Sequence, residues 1–192
     1  MLGIVLCGGQ SLRMGSDKGL LVNGHKSWSQ HAVAQLSALN IPVKLAINPK
    51  QHQAYASYFD QSFFIVDNAL PGIHGPLLGI LSAHLSAPAE DLFVLACDLI
   101  RIDRSVLQQM LSAFESNGDY EAYVFNNAGQ QEPLCGIYTA MGLNKIQHLL
   151  HNEGIAKPSM KFVLSKLKVF EIALQADEKY FFANFNSPDD LQ

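Results

Sequence analysis

Between residues 6 and 21 the chain reads LCGGQSLRMGSDKGLL. Gly8, Gly9, Gly15 and Gly19 are interleaved there with Arg13 and the pair Asp17–Lys18. Glycine lets successive backbone N–H groups converge on an anion, because no Cβ blocks the approach. Arg13 can grip phosphate oxygens with a planar fork of donors, and Lys18 can set a point charge on them. Asp17 can cap the turn or orient Lys18. The combination predicts a cradle for the phosphates of a nucleoside triphosphate. Two common phosphate loops are excluded. The residue five after Gly9 is Met14 and no Gly-Lys-Ser/Thr follows, so the Walker pattern fails; Gln10 stands where the dinucleotide fingerprint needs its second glycine.

Such a cradle has to be fed by a strand and held by the elements around it. LGIVLC (2–7) is a continuous apolar run, the pattern of a parallel strand covered on both faces. Further strands are predicted at VKLAIN (43–48), FFIV (63–66), LFVLAC (92–97), YVF (123–125), LCGIY (134–138) and KVFEIA (168–173). Helical periods are predicted from about Trp28 to Ala38, around 50–58, and over 77–86, 103–116 and 139–151, while SMKFVLSKL (159–167) is assigned to neither class. Strands alternating with helices predict an α/β, three-layer, Rossmann-like domain with a mostly parallel sheet. Sheets of this kind bind ligands beyond the carboxyl ends of their strands. The Gly-rich turn follows the first strand and Asp98 follows LFVLAC, so one crevice can hold both.

Composition narrows the field. The 192 residues, 48% hydrophobic and 16% charged, suit one domain with ample core and no disorder. A net charge of −4 argues against a general nucleic-acid binder, which needs a basic face. No apolar stretch is long enough to span a bilayer, and Met1–Cys7 lacks the flanks of a signal peptide, so no membrane partner and a cytoplasmic location are expected. Cys7, Cys97 and Cys135 form no CxxC pair and are read as reduced, semi-buried thiols. The seven histidines show no metal-ligand spacing; most are read as surface residues, with His74, ahead of GPLLG, the one to compare with a ligand.

The pattern L-x-G-G-x-x-x-R-M-G-x-D-K-G-L resembles the signature loop of nucleotidyltransferases. With its double glycine followed by RMGSDKGLL, it looks like that of the molybdenum cofactor guanylyltransferases. Asp67 ahead of GPLLGI (75–80), ACDLIRID (96–103), EPLCGIY (132–138), NFNSPDDL (184–191) and Asn48 fall where that family has corresponding segments, so the resemblance runs from residue 4 to residue 191. There are departures. Cys7 replaces the usual alanine, His25-Lys26-Ser27-Trp28 follows Gly24 where a Pro-Leu step is common, and Leu99-Ile100 replaces Thr/Met-Pro.

The resemblance implies a single nucleotidyltransferase domain over residues 1–192, binding GTP through its N-terminal part and the acceptor through its C-terminal part. The implied reaction is transfer of GMP from GTP to the phosphate of molybdopterin or molybdenum cofactor, with pyrophosphate released. Arg13, Lys18 and Asp98 would be catalytic, with Asp98 the ligand of Mg²⁺, a hard ion that takes carboxylate and phosphate oxygens. Asp98 also reads as a strand-end turn acid, and Asp103 as a helix N-cap. Leu6, Cys7, Gly8, Gly9, Gly15, Lys18, Asn48, Asp67 and Asp98 would bind the nucleotide; Asn48, Asp67 and main-chain groups near Leu6–Gly8 would face the guanine. Asn184 and Asn186 would bind the acceptor, although Ser187-Pro188-Asp189-Asp190 reads equally as a helix start. Transient contact with other cofactor-biosynthesis proteins is expected. Two competing expectations are a related transferase using CTP or a sugar phosphate, and a non-catalytic protein that holds nucleotide or cofactor.

Overall fold

The computed structural model describes residues 1–8, 17–153 and 159–182. Its elements, in chain order, are β1 (Leu2–Leu6), β2 (Val22–Asn23), β3 (Lys26–Ser27), α1 (Trp28–Ser37), β4 (Val43–Ile47), α2 (His52–Tyr55), β5 (Phe64–Val66), α3 (Pro76–Ser86), β6 (Leu92–Ala96), α4 (Arg104–Ser116), β7 (Ala122–Asn127), β8 (Gln130–Tyr138), α5 (Ala140–Glu153), α6 (Met160–Lys166) and β9 (Val169–Ala173). Seven strands form one sheet in the order β5-β4-β1-β6-β8-β7-β9. Pairing is parallel throughout except along β8, which runs against both β6 and β7. The mostly parallel α/β sheet read from the sequence is the one observed.

Alternation along the central strands sorts side chains into two apolar layers. Val5, Cys7, Leu45, Ile47, Phe93 and Leu95 face α1 and α4, packing against Leu36, Val106 and Met110. Ile4, Leu6, Ala46, Leu92 and Val94 face α3, α5 and α6, packing against Leu77, Ile80, Leu143 and Val163. Every residue of β1 and β6 is buried, as a run covered on both faces requires.

The path of the chain fixes where a ligand can sit. From β1 it passes through α1 on one face to β4 and β5, then returns through α3 on the opposite face to β6, on the other side of β1. The chain leaves β1 toward β4 and leaves β6 toward β7, in opposite directions along the sheet, so the crevice beyond their carboxyl ends is a topological switch point. The hairpin β2–β3 was not visible in the sequence, because two exposed or polar residues per strand leave no periodicity to read. The helical stretch around 50–58 is only a 3-10 turn, Pro49–Gln51, followed by the four residues of α2.

Candidate active site

At the switch point the ammonium of Lys18 lies 3.5 Å from a carboxylate oxygen of Asp98. Lys18 opens a 3-10 turn, Lys18–Leu20, whose N-cap is Asp17; Asp98 directly follows the strand-end thiol Cys97. Their side chains keep 22% and 33% of their exposure. A pair this open to water is weakly held, so each charge can be recruited by a ligand phosphate or a cation. Asp103 is otherwise engaged. Its carboxylate caps α4, accepting from the amides of Ser105 at 2.9 Å and Val106 at 3.2 Å, and hydrogen bonding with Ser105 holds its pKa low. The helix-cap reading of Asp103 is the observed one.

A second corner lies at the ends of β4 and β5. Asn48 follows β4 and caps the next turn, its side-chain oxygen accepting from the Lys50 amide at 2.9 Å. Asp67 follows β5, where its amide donates to the Ile47 carbonyl at 2.8 Å. Two glycines make room for its carboxyl. A Cβ on Gly8 would stand 3.2 Å from Asp67 Oδ2, and one on Gly79 would stand 3.6 Å from Oδ1 and 3.1 Å from Leu6. Gly79 thus seats α3 on the sheet beside Asp67. Among the described residues Asp67 Oδ1 is buried with no hydrogen-bond partner, and burial pushes the carboxyl up to about 6. A buried acceptor left open among the described residues is available to a further donor.

The main chain between the two corners is already engaged. Cys7 and Gly8 amides both donate to the Ala46 carbonyl, at 3.0 and 3.1 Å. The Leu6 carbonyl accepts from Cys97 and the Cys7 carbonyl from Gln51 Nε2. The Gly8 amide is therefore spent within the fold, and what Gly8 offers the site is the open side next to Asp67. The carbonyls keep a second lone pair each.

Arg13, Gly9 and Gly15 of the predicted cradle, and Asn184 and Asn186 of the predicted acceptor set, lie outside the described residues. All three cysteines are free and buried. Burial raises the Cys135 pKa, and hydrogen bonding to Cys7 together with burial raises that of Cys97. His74 is exposed, whereas His84 is buried in the layer under α3 with Nε2 3.1 Å from Asn144 Oδ1. Beside the turn that follows Asp98 lies a cavity of about 300 Å³ lined by Asn23, His25, Lys26, Trp28, His31 and Ile100. Gln51 and Tyr55, which hydrogen bond directly to Asp17, were not singled out in the sequence. The signal was the spacing of Asn48 and Gln51 around Pro49, a capping box that places a long amide against the strand end.

A mostly parallel sheet that gathers an ammonium and two carboxyl groups at the carboxyl ends of its strands has the layout of an α/β ligand-binding crevice. The chain belongs to the family of MobA-like NTP transferase domains, whose pattern it matches over residues 3–168. A probable molybdenum cofactor guanylyltransferase from Flavobacterium johnsoniae is 28% identical over 187 residues, covering 97% of this chain and 92% of the relative. Another from Methanothermobacter thermautotrophicus is 30% identical over 190 residues, covering 98% and 95%. In fold, the chain superposes on molybdopterin-guanine dinucleotide biosynthesis protein A from Archaeoglobus fulgidus with a TM-score of 0.78 at 23% identity, over 100% of this chain and 95% of that one. No helix among the described residues is long and apolar enough to cross a membrane.

Proposed function

We propose that the protein transfers GMP from GTP to the terminal phosphate of molybdopterin or molybdenum cofactor. An oxygen of the acceptor phosphate attacks the α-phosphorus, the bond to the bridging α–β oxygen breaks, and pyrophosphate leaves. The observation that carries this reading is the convergence of Lys18 and Asp98 at 3.5 Å over the ends of β1 and β6. Both reactants are anionic, so catalysis rests on neutralising charge and fixing geometry. Lys18 and Arg13 hold the triphosphate, with Lys18 opposing charge that builds at the transferring phosphorus. Asn48 and Asp67 face the base: the open Asp67 oxygen suits the N1–H and amino donors of guanine.

Asp98 fits a magnesium site. Mg²⁺ takes one or two carboxylates and completes its shell with phosphate oxygens and water. Among the described residues no group of three or more His, Cys, Asp and Glu is gathered, so Asp98 and the nucleotide's own oxygens would hold the ion. Bound there, magnesium supplies positive charge to the phosphates. The cavity walled by His25, Lys26 and Ile100 supports an acceptor entering on that side of Asp98, with Asn184 and Asn186 of the C-terminal part as its further ligands.

Purified protein with Mg-GTP and molybdopterin is expected to yield the guanine dinucleotide and pyrophosphate, resolved by chromatography. No product with either form of the acceptor would overturn the reading. A thermal-shift panel of GTP, CTP, UTP and ATP should show selective stabilisation by GTP, since a ligand of the native state raises apparent stability by mass action. Selective stabilisation by CTP would move the assignment to a related transferase.

A further inference from the structure

We propose that Gln51 and Tyr55 are positioning residues that fix Lys18 on the triphosphate by clamping Asp17 from the far side of the turn. The proposal rests on the reading of Lys18 as a phosphate ligand. Asp17 has every sign of a hub. Its Oδ1 accepts from the Gly19 amide at 3.0 Å and from the Tyr55 hydroxyl at 3.0 Å, and its Oδ2 accepts from Gln51 Nε2 at 2.5 Å. The first of these bonds closes the turn that carries Lys18. The other two come from the segment after β4, 34 and 38 residues away in sequence.

The same amide of Gln51 reaches the Cys7 carbonyl at 2.9 Å, and its Oε1 accepts from the Asn48 amide at 2.9 Å. One buried side chain thus ties together the end of β1, the Lys18 turn and the Asn48 corner. Tyr55 is fully buried, and its hydroxyl stands where a Cβ on Gly19 would come within 2.1 Å, so the turn needs glycine to receive it. Burial, and then the neighbouring Cys7, Cys97 and Asp17, push the phenol far above its ordinary range, so it stays protonated and donates. On the opposite side the Ser29 hydroxyl donates to the Gly19 carbonyl at 2.7 Å, and the Trp28 amide to the Leu21 carbonyl at 2.9 Å. The Lys18 turn is gripped between α1 and the α2 segment. Cutting the α2 grip frees the turn to rotate while leaving α1 and the sheet in place.

A double-mutant cycle tests this. Dissociation constants for Mg-GTP and for inorganic tripolyphosphate, which carries the charge without a base, are measured calorimetrically on the parent, Tyr55→Phe, Gln51→Met, Lys18→Ala and the two doubles. Tyr55→Phe and Gln51→Met are each expected to weaken both ligands by roughly tenfold, the scale of one lost hydrogen bond to a charged group. In the Lys18→Ala background the same substitutions should change binding by less than about twofold, because the group they position is gone. Melting temperatures report the folding cost separately, and Tyr58→Phe, an exposed tyrosine on the same segment, should change neither quantity. Equal losses with and without Lys18, or no loss at all, would overturn the positioning role alone. A Lys18→Ala protein that binds tripolyphosphate as tightly as the parent would overturn the reading of Lys18 and this proposal with it.

Discussion

Two aspartates stand on either side of the strand-end residues Cys7 and Gly8, and they are treated in opposite ways. Asp17 accepts three hydrogen bonds from its own chain. Asp67 keeps a buried oxygen that no described residue meets, and burial holds its pKa near 6. A saturated carboxylate is a structural anchor: removing it leaves buried donors stranded. An unsaturated one is a standing cost in the free protein and becomes favourable only when a ligand brings donors. The difference separates residues that build the crevice from residues that read what enters it. Lys18 and Asp98 are a third kind, a half-buried pair still in contact with water, whose charges are exchangeable.

The sharpest break is expected at that exchangeable pair. Lys18→Ala and Asp98→Ala should each lower guanylyl transfer by about a hundredfold or more, the scale of losing one charge-stabilising group, with little change in melting temperature. Asp17→Ala differs in kind, because it adds a folding cost to the loosening of Lys18. It strands the Tyr55 hydroxyl and the Gln51 amide, and chemical denaturation should register a loss of about 2–4 kcal/mol. If Asp17→Ala were as stable as the parent, the anchor reading of that carboxylate would be wrong.

Much of this contrast was legible in the sequence, and the limits have physical causes. The strands of the central sheet announced themselves because both faces of β1 and β6 are covered, which forces unbroken apolar runs. Lys18 and Asp98 could be named because each follows a strand or turn signal, and Asp67 because the resemblance to the guanylyltransferases pointed to it. What separates Asp17 from Asp67 could not. That distinction depends on Gln51 and Tyr55 arriving from another element and on Gly8 and Gly79 leaving a gap, and neither is encoded in local spacing. Likewise the Gly8 amide seemed available from sequence, but the ladder to β4 consumes it. The hairpin β2–β3, which walls one side of the cavity, was too short to leave a pattern.

Asp67→Asn is the next test, with a smaller effect. The amide keeps the size and loses the negative charge that attracts the guanine donors, so GTP affinity should fall roughly tenfold while tripolyphosphate affinity stays unchanged. Equal losses for both ligands would place Asp67 among the phosphate contacts and erase the division between reading and building residues.

The smallest effect is a pH dependence of stability carried by the same carboxyl, and its sign distinguishes Asp67 from an ordinary paired acid. Burial raises the folded pKa to about 6, above the ordinary aspartate value of 3.8, so the folded protein holds this proton more tightly than the unfolded chain. The stabilising contribution is complete below about pH 4 and is lost as pH rises through about 6. A paired acid such as Asp103, whose pKa is lowered, loses its contribution in the opposite direction, as pH falls. Because Asp67 is only partly shielded from water, the expected swing is about 1 kcal/mol. Urea denaturation of the parent and of Asp67→Asn from pH 4 to 8 isolates it, since other titrating groups cancel in the difference. The variant should gain on the parent as pH rises and level off above pH 7, and saturating GTP should shrink the gap by giving the ionised carboxylate its donors. Parallel stability curves would mean that the carboxyl is solvated in the free protein, and the open-acceptor account of guanine recognition would fail.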